Sequence, residues 1–446
     1  MAPRLFGTDG VRGRAGDPPL DPTTVARLAA ALVRALPKDG NDARLLIGRD
    51  TRESGAWLER ELARGARGEG AHVTSAGVIP TPAVAYLTKS MDFDAGLVIS
   101  ASHNPFEDNG IKVFSGEGEK FDEDLERHVE QVVADTSWGV APEHGAPVET
   151  RDLLSTYMVH ARTALPDLAA LRGSRLALDC ANGATTTVAP RLFRELGFDV
   201  RAIHCEPDGR NINLHCGSTH PESLADRVRA DGCRLGVAFD GDGDRAILVD
   251  HTGALVDGDG VMLMCARHLK ARGHLRGNTV VATVMSNIGL EIALRESGIE
   301  MLRTPVGDKH VAAEIAARDL VLGGEQSGHV IFSEFLYTGD GIVTALNVLR
   351  VMAESGRELH DLARELVTYP QVLVNVRVRE KRDLAAVPDV ARSIAEVEDR
   401  LAGQGRLLVR YSGTEPLLRV MIEGRDQAEI TAWAHRIADV VKAELG

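Results

Sequence analysis

The sequence predicts an α/β fold: three similar α/β units in series, closed by a small α+β domain. Three observations predict it. Strand-like apolar runs alternate with helical stretches through most of the chain. The 446 residues exceed one core, because single cores stop growing at roughly 250 to 300 residues and about three or four domains is the expectation. The tail changes character, with a half-exposed alternating strand in place of buried runs.

In chain order, Arg44 to Gly48, His72 to Val78 and Gly96 to Ser100 read as strands, separated by helices at Thr23 to Leu36, Glu53 to Glu69 and Pro82 to Lys89. Trp138 to Thr150, mixed in charge with Gly and Pro, reads as a linker. After a helical lead-in come a strand at Arg175 to Asp179, a helix at Ala184 to Leu196, a strand at Asp199 to Cys205 and a helix at Pro221 to Asp231. Leu235 to Phe239 and Ala246 to Val249 close this second unit as strands. The third unit begins with a helix at Gly260 to Lys270 and a buried strand at Thr279 to Met285. It continues through Leu320 to Phe332 and a helix at Gly341 to Ala353. The similarity of the three units suggests a diverged repeat without a strict sequence period. In the tail, Gln371 to Arg379 reads as a strand, Leu384 to Leu401 as a helix, two strands flank Tyr411 to Pro416, and a last helix starts at Gln427. A hinge is expected near Tyr369-Pro370, and the divisions fall at 1–148, 149–252, 253–368 and 369–446.

Composition narrows the function. Aromatic residues make up only 4%, so the cores rest on Val, Leu, Ile and Ala. A formal net charge of −14 argues against a nucleic-acid partner, since phosphate backbones attract basic surfaces. An anionic substrate therefore needs a local positive pocket. The five cysteines, scattered without a CxxC pair, read as reduced thiols of a cytoplasmic protein. No signal-type apolar segment opens the chain, and no run reaches the roughly 18 apolar residues of a membrane helix, so no membrane partner is expected.

Asp240-Gly241-Asp242-Gly243-Asp244, followed by Arg245, carries the strongest chemistry. Short carboxylates alternating with glycine can converge on one hard divalent cation, or else form a solvated acidic turn. An EF-hand loop shares the alternation, but its sixth place should be Gly and is Arg245, and its twelfth should be Glu and is His251. Ser102, with His103 beside it, follows a strand at the carboxyl end where open α/β sheets place ligands, and the chain returns through a loop at Asp108 to Gly110 to deliver Lys112. The G-x-S-x-G elbow of serine hydrolases is absent there. A serine beside a metal cage points instead to phosphoryl transfer.

Arg410 to Pro416, with Arg419 after it, offers two guanidinium groups, the hydroxyls of Ser412 and Thr414 and the Gly413 backbone to a phosphate, or else is a solvated hairpin. Gly323 to His329 forms a polar loop able to meet sugar hydroxyls, and Thr304 to Asp308 a similar turn. Ligand-free hairpins are the alternative for both.

Together, Phe6 to Gly13, the Ser102 loop, the aspartate pentad, Gly324 to His329 and Arg410 to Pro416 resemble the α-D-phosphohexomutase superfamily, in its order and over nearly the whole chain. The Glu-Gln-Ser-Gly-His form at Glu325 to His329 and the opening Phe6 to Gly13 resemble the branch acting on glucosamine phosphates. Phosphomannomutase and phosphoglucomutase relatives more often show Glu-Met-Ser-Ala-His.

The resemblance implies three α/β domains with mixed sheets and one α+β domain around a central cleft. It implies an isomerase in which Ser102 is a phosphoserine and, with Asp240, Asp242 and Asp244, holds one Mg²⁺. The expected reaction interconverts glucosamine 6-phosphate and glucosamine 1-phosphate through glucosamine 1,6-bisphosphate, feeding UDP-N-acetylglucosamine and cell-wall precursors. Broader hexose specificity is the alternative. Arg12, Lys112 and Arg245 are expected to offset phosphoryl charge, with Lys112, His103 and His329 as candidates for proton transfer. Thr304, Gly307, Asp308, Glu325 and Ser327 are expected to bind the sugar. Arg410, Ser412, Gly413, Thr414 and Arg419 are expected to hold the phosphate that is not reacting. A homodimer is compatible with the resemblance. A silent sugar-phosphate sensor would lack the serine or a carboxylate, and a phosphatase would have little use for a second phosphate site.

Overall fold

The computed structural model describes residues 4–7, 9–37, 42–140, 148–167, 169–412 and 416–446. Most of the expected linker at 138–150 lies outside them, as do Gly413 and Thr414. By packing, the chain divides into one unit of residues 1–285 with 298–364, and a second of 286–297 with 365–446.

The first unit holds three mixed sheets. The first comprises β1 (Val11–Arg14), β2 (Arg44–Arg49), β3 (His72–Val78), β4 (Ala95–Ile99), β5 (Asp108–Ser115) and β6 (Glu149–Thr150). Their order is β1-β5-β4-β2-β3-β6, with β2 parallel to both β3 and β4, and β5 antiparallel to both β4 and β1. The residues that read as a loop at Asp108 to Gly110 are thus the start of a strand. Its turn-forming residues are overridden by pairing on both sides, which buries Asn109 to Phe114. Every residue of β4 is buried, as expected of a central strand covered on both faces. Ile47, Leu97 and Ile99 pack there against Val25, Leu28 and Leu32 of the helix Pro22–Ala35. That helix starts where Asp21 accepts from the amides of Thr23 and Thr24 and Pro22 occupies the first turn.

The second sheet comprises β7 (Arg175–Asp179), β8 (Asp199–Ile203), β9 (Leu235–Phe239), β10 (Ala246–Asp250) and β11 (Leu255–Val256), in the order β11-β10-β9-β7-β8. β9 and β10 are antiparallel with Phe239 opposite Ala246, so the aspartate pentad and Arg245 form the hairpin connection. The third sheet comprises β12 (Thr279–Thr283), β13 (Glu300–Thr304), β14 (Leu322–Gly324) and β15 (Val330–Phe332), in the order β13-β12-β14-β15. Gly324 pairs with Val330, which makes Glu325 to His329 a hairpin loop.

In the second unit, β16 (Gln371–Arg377), β17 (Arg406–Tyr411) and β18 (Leu417–Glu423) form an antiparallel sheet in the order β16-β18-β17. Its apolar face packs on the helices Pro388–Leu401 and Gln427–Leu445 through Val376, Val420, Ile422, Val397 and Ile437. Asn287 joins this unit by exchanging two hydrogen bonds of 2.9 Å with the backbone of Tyr369. Among the described residues no helix is long and apolar enough to cross a membrane. All five cysteines are free thiols.

Candidate active site

Ser102 sits just past the carboxyl end of β4, buried, with φ at +53°. This left-handed conformation is uncommon for a residue with a side chain and collects at functional turns. Three neighbours hold it. Its amide donates to Ser100 Oγ at 2.9 Å, and its carbonyl accepts from Asn213 Nδ2 at 2.9 Å and from Arg52 Nη2 at 3.3 Å. Arg52 is itself fully buried against Asp50, at 3.1 Å. The Ser102 hydroxyl is thereby aimed at Asp240 and donates to its Oδ2 at 2.5 Å.

Asp240, Asp242 and Asp244 are buried, with one carboxylate oxygen from each lying within 4.8 Å of the others. Of the two glycines between them, Gly243 has φ +75°, whereas Gly241 serves close approach: a Cβ there would stand 2.5 Å from the Ser102 carbonyl oxygen. Asp242 is fixed from the start of the helix Thr81–Ser90, where Thr81 Oγ1 donates to its carboxylate at 2.5 Å and the Thr81 amide to its carbonyl at 2.9 Å. Burial, then the charges of Asp244 and Asp242, push the Asp240 carboxyl well above its ordinary range. Burial also opposes charge on Asp244, but Lys112, His329 and Arg245 outweigh it and bring that carboxyl down to about 2.

The pairing of β5 with β4 places Lys112 opposite Val98 and delivers its ammonium into the aspartate trio. Lys112 Nζ lies 2.8 Å from Asp242, 2.9 Å from Asp244 and 3.2 Å from Asp9. Burial disfavours its charge, yet the three carboxylates prevail and hold its pKa well above the usual lysine range. The trio still fits a divalent cation. Asp242 Oδ1 and Asp244 Oδ1 are buried without a hydrogen-bond partner, and an all-oxygen donor set suits Mg²⁺.

Around this centre a cavity of about 360 Å³ is lined by Arg12, His103, Arg245, Asp308, Glu325 and His329, with Asp9, Asp244 and Gly307 among its other walls. His103 Nδ1 lies 3.4 Å from Ser102 Oγ and 3.3 Å from Arg245 Nη1. A guanidinium only donates, so Nδ1 is the unprotonated nitrogen. Burial, then Arg245 and Arg12, lower the His103 pKa and keep the ring neutral. Arg12 donates to the Ala101 carbonyl at 3.3 Å and pairs with Asp9. His329 is buried, with Nε2 3.2 Å from the Gly339 amide and 3.3 Å from Asp308 Oδ2. Asp308 opens the helix Asp308–Ala317 and pairs with Lys120, which also reaches Asp9 at 2.5 Å. Glu325 Oε1 accepts from the Gly307 amide at 3.2 Å.

The expected residues thus fall into three groups. Ser102, His103, Lys112, Arg12, Arg245, His329 and the aspartate trio converge, together with Gly307, Asp308 and Glu325. Ser327 is exposed on its hairpin, and the Thr304 hydroxyl is spent on the Pro305 carbonyl at 3.1 Å. Arg410, Ser412 and Arg419 lie in the second unit, where Arg410 and Arg419 face each other across β17 and β18. Sequence reasoning missed Asp9, Arg52, Thr81 and Lys120. Asp9 lies inside the Phe6 to Gly13 motif, and Thr81-Pro82 carries a helix-start signal.

Residues 3–139, 155–253 and 257–369 match the family descriptions phosphoglucomutase/phosphomannomutase alpha/beta/alpha domains I, II and III, and 373–440 match its C-terminal domain. The phosphoglucosamine mutase of Solibacter usitatus is 50% identical over 449 residues, covering 100% of both chains. The chain belongs to the phosphoglucosamine mutase family. A phosphoglucosamine mutase of Syntrophotalea carbinolica is 46% identical, covering 100% of this chain and 99% of its own. Among solved structures, a phosphoglucomutase/phosphomannomutase family protein from Burkholderia thailandensis matches with TM-score 0.80 at 25% identity, covering 99% of this chain and 98% of its own. The N-acetylphosphoglucosamine mutase of Aspergillus fumigatus, solved with GlcNAc-6P and magnesium, shares the fold at TM-score 0.66 and 18% identity, over 98% of this chain and 95% of its own. The phosphoglucosamine mutase family is one of isomerases, and the buried aspartate trio gives this member a place for a metal ion.

Proposed function

We propose that this chain interconverts glucosamine 6-phosphate and glucosamine 1-phosphate, using a phosphoryl group carried on Ser102. The observation that carries the reading is the Ser102 hydroxyl, 2.5 Å from Asp240 at the edge of a buried trio of aspartates that also holds Lys112. Asp240, Asp242 and Asp244 would hold Mg²⁺, which when bound would supply positive charge to the phosphoryl oxygens.

The chain's own residues do the rest. Lys112, Arg12 and Arg245 add fixed positive charge around the transferring group. The phosphorus–oxygen bond to Ser102 breaks as a bond to the sugar hydroxyl oxygen forms, and the hydroxyl proton passes to a base. Lys112, His103 and His329 are the candidates for that base: Lys112 Nζ stands among the aspartates, and His103 and His329 line the cavity. The product of this half-reaction is glucosamine 1,6-bisphosphate, which returns its other phosphoryl group to Ser102. Glu325, Gly307 and Asp308, which line the cavity, are assigned the sugar, and Ser327 and Thr304 are assigned to it from the family resemblance alone. Arg410, Ser412, Gly413, Thr414 and Arg419 are assigned the second phosphate.

Coupled assays on glucosamine, mannose and glucose phosphates test the reading. A clear preference for mannose or glucose phosphate would reject it, and release of inorganic phosphate without isomer would make the protein a phosphatase.

A further inference from the structure

A second set of ligating side chains lies outside the active-site cavity, where β7 and β8 end. Asp179 closes β7, His204 follows β8, and parallel pairing of Asp179 with Ile203 brings the two within reach. Asp179 Oδ2 accepts from the Gly217 amide at 2.9 Å, which draws in Cys216. A carboxylate oxygen of Asp179, a ring nitrogen of His204 and Cys216 Sγ all lie within 4.8 Å of one another. Asp179 and Cys216 are fully buried, while the His204 side chain is 31% exposed. His204 Nδ1 is 3.0 Å from Asp179 Oδ2, yet it is a buried nitrogen without the alignment of a hydrogen bond.

We propose that Asp179, His204 and Cys216 bind a divalent cation of the Zn²⁺ class, at a site separate from the aspartate trio, with a fourth position left to water on the exposed side of His204. The donor set carries the choice. One imidazole nitrogen, one carboxylate oxygen and one sulfur match Zn²⁺ or Co²⁺, whereas Mg²⁺ takes oxygen ligands. Binding breaks the Cys216 S–H bond, forms a sulfur–metal bond and releases the thiol proton to water.

The site sits beneath the catalytic loops. The Asn213 side chain, three residues before Cys216, holds the Ser102 carbonyl, and the Ser218 amide donates to the Phe239 carbonyl at 2.9 Å. A bound cation fastens this segment to the ends of β7 and β8.

The test is a Co²⁺ titration of the full reduced chain with Mg²⁺ saturating. The expected result is one equivalent of Co²⁺ bound with a thiolate-to-cobalt charge-transfer band in the near ultraviolet. Cys216→Ser loses the band and keeps Mg²⁺-dependent turnover, while Cys180→Ser keeps the band. His204→Gln, which retains Cys216, binds Co²⁺ at least about tenfold more weakly. Absence of the band in the wild-type chain, its survival in Cys216→Ser, or equal Co²⁺ affinity in His204→Gln would each overturn the proposal.

Discussion

Ser102 combines two constraints that rarely coincide: a left-handed backbone and a buried hydroxyl bonded to a carboxylate. Both serve a nucleophile with one permitted direction, and this gives the sharpest single-residue prediction. Ser102→Ala is expected to cut turnover by roughly three orders of magnitude or more, with intact mass showing no phosphoryl group on the variant and one on the active wild type. Thr81 acts through a neighbour, since its hydroxyl donates to Asp242 at 2.5 Å. Thr81→Val should weaken Mg²⁺ binding by about 10 to 100-fold with little change in turnover at saturating metal, read from the Mg²⁺ dependence of rate. Ser102 and the aspartate trio were legible because each lies inside a short contiguous motif. Thr81, Lys120 and Arg52 were not, because each acquires its role from a distant partner: Thr81 and Asp242 are 161 residues apart, and Lys120 and Asp9 are 111 apart.

Among elements, the buried strands were the easiest to read. β4, β9 and β12 are uniformly buried, and their apolar runs announce it. Among the described residues four α-helices escaped: Glu123–Ala134, Ile288–Glu296, the short Leu359–Ala363 and Asp308–Ala317. The last buries only Val311 and Ile315, too narrow a stripe to set a period, whereas the first carries one, with Leu125, Val132 and Val133 packed beside buried Val129. One further element bears directly on the site. Asp340 caps the helix Gly341–Ser355 by accepting from the Val343 amide at 2.9 Å, and Gly341 donates to the Gly243 carbonyl in the aspartate loop at 3.0 Å. Burial raises the Asp340 pKa from 3.8 to about 6, against its hydrogen bonds from Val343 and Tyr157. A carboxyl raised on folding stabilises the native state below its unfolded pKa, and that contribution disappears as pH rises through about 6. The loss is about 3 kcal/mol. Asp340→Asn, which keeps the capping oxygen, should therefore narrow the difference between unfolding midpoints at pH 4 and pH 7.

At the scale of the molecule, a formal net charge of −14 surrounds a site built to receive anions. Lys112, Lys120, Arg12, Arg52 and Arg245 gather near Ser102, each against carboxylates or carbonyls that fix it in place. The aspartate trio offers three protein ligands, and a phosphoryl oxygen on Ser102 would add a fourth. Mg²⁺ is accordingly expected to bind the phosphorylated protein more tightly than the dephosphorylated one, and equal affinities by calorimetry would contradict the assignment.

The register of the tail sheet has a consequence for folding. Arg410 and Arg419 stand directly opposite on β17 and β18, so one oxyanion could accept from both guanidinium groups. A ligand bound only by the native state adds about 2.7 kcal/mol at a hundredfold excess over its Kd. Inorganic phosphate should thus raise the thermal midpoint of the second unit in wild type and leave the Arg410→Gln, Arg419→Gln double variant unmoved. The concentration of such oxyanions would then set how small a fraction of this part of the enzyme stands open to proteolysis in the cell.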